Sequence, residues 1–187
     1  MEMGRNEEAI SEARRALELD PLSLIIGAQT GDALAYAGRT DEGIEQLKKT
    51  TQMDPNFPEA HSSLAEAFAR KKMYSEAVAE WQTAMKLSGN ESGAAALGEA
   101  YKSSGYQGFL QRWIDQLLQR PAEKQLPYEL ARLYARLGKK EEALKWLEKA
   151  YSERVGAMLF LKSEPAFDSW RSDLRFQSLL QRMNFPL

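Results

Sequence analysis

LARLYARLGKKEEALKWLEKA, residues Leu130–Ala150, reads as two amphipathic helical patterns joined at a glycine. Leu130-Ala131-x-x-Tyr134 lies before Gly138, and Ala143, Leu147 and Ala150 follow it at helical spacing. The skeleton recurs upstream as Leu97-Gly98-x-x-Tyr101 with Gly105, Leu110, Ile114 and Leu117. It appears again as Leu64-Ala65-x-x-Phe68 with Ala77, Trp81 and Ala84. The residue opening each second helix falls at Ala9, Gly43, Ala77, Leu110 and Ala143, steps of 34, 34, 33 and 33. The turn before it keeps phase at Gly4, Gly38, Lys72, Gly105 and Gly138, and so do Gly31, Ala65, Gly98 and Ala131. A fixed period of this length marks an array of units, each burying its apolar face only against its neighbours.

The helix limits follow from punctuation. Glu7 to Leu19 carries one apolar face (Ala9, Ile10, Ala13, Ala16, Leu17 and Leu19) and stops at Asp20-Pro21, because proline cannot continue a helix. It reads as half a unit whose partner helix would lie upstream of Met1. Then come Leu24 to Ala37 with Asp41 to Met53, and Pro58 to Lys71 with Ser75 to Leu87. Thr40 or Asp41 is expected to cap the helix start. The fourth unit predicts helices over Ser92 to Ser104 and Gln107 to Leu118, with Leu110 where a small residue is usual and irregular geometry expected. The fifth predicts Glu123 to Leu137 and Lys139 to Glu153. Val155 to Lys162, punctuation at Ser163–Pro165 and Ser172-Asp173, and a helix from Asp173 to Met183 close the chain. The aromatic-rich tail (Phe160, Phe167, Trp170, Phe176, Phe185) is read as a cap over the last unit. Residues 1–154 thus form the array and 155–187 the capping segment.

The small residues are expected where paired helices come closest. Phe68, Tyr101 and Tyr134 fill the space beside them, and Trp81 wedges against the next unit.

The matched positions resemble the tetratricopeptide repeat family from about Gly4 to Arg154, although its aromatic near the start of the first helix is replaced by Gly27, His61, Ala94 and Pro127. The resemblance implies an all-α, right-handed α-α superhelix of about four and a half repeats with C-terminal capping helices. It also implies a concave face lined by first helices that binds protein or peptide. Counting along those helices places Asp32, Tyr36, Ser62, Glu66, Arg70, Glu99, Lys102, Tyr128, Arg132 and Arg136 on that face. Asp32, Glu66 and Glu99 are equivalent and form an acidic row; Arg70, Lys102, Arg132 and Arg136 make the C-terminal end basic. Family members that grip chaperone tails hold a terminal carboxylate with lysines and asparagines. Ala28, Ser62 and Ala95 stand at the lysine places here, and Asp32, Glu66 and Glu99 at the asparagine places, so that clamp is missing. A plainer alternative pairs Glu66 with Arg70 across one helical turn, worth a few tenths of a kcal/mol.

The run from Leu161 to Met183 is similar to the C-terminal ends of repeat regions behind winged-helix or serine/threonine kinase domains in large bacterial signalling proteins. That likeness implies a cytoplasmic fragment of a larger regulator, or a periplasmic one if the parent spans a membrane.

Composition narrows the rest. A net charge of −2 argues against a strongly basic nucleic-acid binder. No apolar run reaches the ~20 residues of a membrane span, so no membrane contact is expected. No cysteine and a single histidine, His61, leave neither a thiolate site nor a histidine pair for zinc. Glu7-Glu8 and Glu141-Glu142 open helices, where the dipole favours acids, and Asn90-Glu91-Ser92 reads as a turn and cap. The chain is therefore read as non-enzymatic, without cofactor, and binding a protein or peptide. The alternative is an oligomerisation or spacer element, with self-association through the N-terminal half-unit.

Overall fold

The computed structural model describes residues 2–184, with side chains from residue 7 onward. Phe185 lies outside the described residues. All regular structure among them is helical, which establishes the all-α class. The chain divides into two compact units, Met1–Glu99 and Ala100–Leu187.

In the first unit, α1 (Glu2–Leu19) packs on α2 (Leu24–Tyr36). α2 pairs with α3 (Thr40–Met53), and α4 (Pro58–Arg70) pairs with α5 (Tyr74–Leu87). α3 packs on α4, and α2 lies against α4, so successive pairs stack. Two expectations change. Gly4 lies inside α1 rather than in a turn. Thr40 is the first residue of α3 and makes no cap; Arg39 precedes it and grips Glu42 with two bonds of 2.6 Å.

The small residues do what their spacing predicts. A Cβ on Gly31 would stand 2.5 Å from the Leu47 Cγ, and one on Gly43 would stand 2.7 Å from the Gly31 carbonyl oxygen. Backbones this close leave no room for a side chain, and Leu47 fills the remaining space at 0% exposure. Thr30 donates to the carbonyls of Ile26 and Ala13, tying α2 to α1 while satisfying a buried hydroxyl. Trp81 is 3% exposed, as a wedge requires. His61 is buried with Nδ1 2.5 Å from Glu80 and Nε2 3.0 Å from the Pro55 carbonyl, so both ring nitrogens face oxygen. That is a satisfied core histidine.

The turns repeat as faithfully as the cores. Gly38 at φ +85°, Lys72 at +60° and Gly138 at +74° each follow a helix in the left-handed region. Each time the next residue's N–H reaches back five residues: Arg39 to Leu34, Met73 to Phe68, Lys139 to Tyr134. This is the helix-ending motif that glycine favours; Lys72 adopts it against its own Cβ.

α6 (Glu91–Leu118) runs through both units and is broken in its middle. Asn90 caps its start, accepting from the Gly93 N–H at 3.1 Å. Ser104 at φ −139° and Gly105 at φ +62°, ψ −159° leave helical geometry at the expected turn.

In the second unit, α7 (Pro127–Arg136) pairs with α8 (Lys140–Ser152). The helix expected from Glu123 is a 3₁₀ turn, Ala122–Lys124, and α7 begins only at Pro127. Proline suits a first helical turn and would break an interior. The expected segment from Val155 is also a 3₁₀ turn, Gly156–Phe160, and Pro165 opens another, Pro165–Trp170. α9 (Leu174–Arg182) follows, capped by Asp173, which accepts from the N–H groups of Arg175 and Phe176. Phe167, Trp170 and Phe176 are buried with Ala143, Leu147 and Tyr128 in one core. The tail aromatics there are interior groups, whereas Leu159 and Phe160 remain exposed.

Candidate functional site

In the first unit, α2 and α4 present equivalent faces at spacings of three and four residues. Ile25, Ala28, Gln29 and Asp32 come from α2, and Glu59, Ser62 and Ser63 from α4. With Phe57 and Pro58 they border a cavity of about 550 Å³.

Asp32 is the most perturbed group on this face. It is half-buried, and its Oδ2 accepts from the Ser63 hydroxyl at 2.9 Å. Burial pushes its carboxyl up from the ordinary 3.8 to about 6; the Ser63 bond opposes this, Glu66 adds to it, and Arg70 opposes it weakly. The Arg70 guanidinium lies over the Tyr36 ring, 4.1 Å from its centroid, a cation–π contact that fixes both side chains. The structure therefore brings Asp32, Tyr36, Glu66 and Arg70 into one neighbourhood and sets Ser62 on the cavity beside them. Glu99 is exposed on α6.

The predicted residues of the second unit differ among themselves. Lys102 is exposed and Arg136 half-buried. Tyr128 is 7% exposed, with its ring 6.4 Å from Phe167. Arg132 lies between Glu129 at 2.8 Å and the buried Glu164 at 2.9 Å. Both side chains are turned to the closing segment rather than outward, because Pro165–Trp170 packs on α7. Periodicity places a residue on a helix face and carries no information about what later folds over it.

Seven lining residues escaped the sequence reading: Ile25, Gln29, Phe57, Pro58, Glu59, Ser63 and Ser88. Helical spacing held a signal for two of them, since Ile25 stands seven residues before Asp32 and Glu59 seven before Glu66. Among the described residues no group of three or more histidines, aspartates or glutamates is gathered for a metal ion, and no helix is long and apolar enough to cross a membrane.

Comparison with known proteins agrees with this architecture. A family model described as TPR repeat matches residues 31–72, and one described as tetratricopeptide repeat matches residues 1–21 and 128–154. The chain is similar to the Small glutamine-rich tetratricopeptide repeat-containing protein 2 of Mycosarcoma maydis, 32% identical over 100 residues. That match spans 51% of this chain and 28% of the relative. Tetratricopeptide repeats are thus recognised in an all-α array of paired helices, a class that generally mediates protein–protein interaction.

Proposed function

We propose that this chain is a non-catalytic module that binds a protein segment along the exposed faces of its first helices. The single observation that carries the reading is the cavity between α2 and α4, bordered by side chains the repeat places outward. On the first unit Asp32, Ser62, Glu66 and Glu99 supply acidic and hydroxyl groups and Arg70 a charge of the other sign; Lys102 and Arg136 belong to the second unit. A mixed-charge partner segment, extended or helical, suits such a face. The test is capture of a partner by the chain, then titration of that partner against Glu66→Lys and Glu99→Lys. Each reversal is expected to weaken binding about tenfold, a change of ~1.4 kcal/mol. Unchanged affinity for both removes this face from consideration.

We further propose that the module belongs to a larger regulatory protein acting in the cytoplasm. The support is the likeness of the run from Leu161 to Met183 to the repeat regions of bacterial signalling proteins. A second reading, self-association near the N-terminal end, is favoured by the exposure of Leu19 at 80% and Leu22 at 78%. Light scattering over a concentration series, repeated with Leu22→Ser, separates the two readings.

A further inference from the structure

We infer that the cavity between α2 and α4 takes the basic side chain, lysine or arginine, of a partner segment. The inference rests on the reading of this face as a protein-binding surface and adds the chemistry of what it accepts. Ile25 and Phe57 give the cavity apolar walls, Asp32 lies on α2 within it, and Glu59 comes from the first turn of α4. No lysine or arginine is among the described residues that line it. A long basic side chain matches this layout, since its methylenes cover apolar wall while its charged head reaches carboxylates.

The alternatives fit worse. An acidic side chain would enter beside two carboxylates with no cation on the lining to offset them. An apolar side chain would cover Asp32 further and add no donor to the single hydroxyl of Ser63, and burying a carboxylate with so little compensation is costly. The cation nearest in effect, Arg70, is stacked on Tyr36 and is the weakest influence on Asp32. The closest partner of Asp32 is a hydroxyl, Ser63, through Oδ2. A cation arriving from a partner would form a charge-assisted bond, roughly twice as strong as a neutral one.

The same groups set a pH dependence. Ser63, Glu66 and Arg70 of α4 act on Asp32, and burial keeps its carboxyl protonated up to about pH 6. A basic side chain needs the ionised form. Affinity is therefore expected to fall as pH drops below about 6, approaching tenfold per pH unit.

The experiment uses the full chain and four pools of acetylated, amidated nonapeptides. Each pool is randomised except at its centre, which is fixed as Lys, Arg, Leu or Glu. The Lys or Arg pool is expected to be retained at least tenfold over the Leu and Glu pools at pH 7.5. Asp32→Asn, which keeps the shape and the acceptor for Ser63, is expected to abolish that preference. Glu59→Gln, on the exposed rim and remote from the core, is expected to reduce it several-fold and guards against a folding defect in the first variant. Retention of the four pools alike, or preference for Leu or Glu, overturns the basic-residue inference while leaving the binding face standing. A basic preference that survives both variants also overturns it, by placing the cation elsewhere. Retention of no pool removes both readings.

Discussion

Asp32 couples recognition to stability at the scale of one residue. Its carboxyl is raised in the folded state, so folding favours the protonated form. That contribution is fully present below the unfolded value of 3.8 and is lost as pH rises through about 6. The full shift corresponds to about 3 kcal/mol; partial solvation brings the expected effect to about 1–2 kcal/mol. The protein is therefore expected to lose stability between pH 4 and pH 6 by that amount. Asp32→Asn is expected to flatten this interval and to be the more stable protein at pH 7.5, as urea unfolding at a series of pH values will measure. Trp81 tests packing instead. Its removal to alanine leaves a cavity among α4, α5 and their neighbours, and about 3–5 kcal/mol is expected to be lost. A thermal midpoint equal to the parent's would rule out the wedge.

Close approach and turn geometry decide stability at the scale of the element. Alanine exceeds glycine in helix propensity by about 1 kcal/mol, so Gly43→Ala would stabilise α3 were the helix alone. Its new methyl would meet the Gly31 oxygen at 2.7 Å and the Ala35 nitrogen at 3.1 Å, both backbone atoms that cannot rotate away. Overpacking wins, and a net loss of about 1–3 kcal/mol is expected in urea unfolding. Lys72 runs the other way. It occupies a left-handed turn where the equivalent positions hold glycine, so Lys72→Gly is expected to gain up to about 1 kcal/mol in the same measurement.

These two cases also show why the helix pairs were legible. The period of small residues and the period of turns are consequences of one backbone geometry, so they survive in the sequence. What lies between the repeats is less legible. Helix was expected from Glu123, yet α7 begins only at Pro127. Arg39 forms its own pair with Glu42 where a cap by Thr40 or Asp41 was expected. Local competition of this kind leaves no periodic trace.

For the whole molecule, the part of the candidate face that sequence reveals is the part no other segment covers. Asp32, Ser62 and Glu66 lie on α2 and α4, where spacing alone locates them. Tyr128 and Arg132 occupy equivalent places on α7, but Phe167 and Glu164 engage them from a segment more than 30 residues downstream. Phe176, 0% exposed, anchors that segment beside Phe167 at a ring distance of 5.7 Å. Phe176→Ala is expected to cost about 3–5 kcal/mol in the second unit and to raise amide exchange in α7 and α8. Exchange unchanged in those helices would show that the segment is not part of their core.

Arg132 and Glu164 give this arrangement a consequence for how such a chain evolves. Arrays of this kind grow by tandem duplication, each newcomer docking on the helix pair already at the end. Here the docking place after α8 is occupied by the chain's own aromatic rings, and a buried ion pair locks them to α7. An extra copy appended after Ser152 would have to displace those rings before it could dock on α7 and α8.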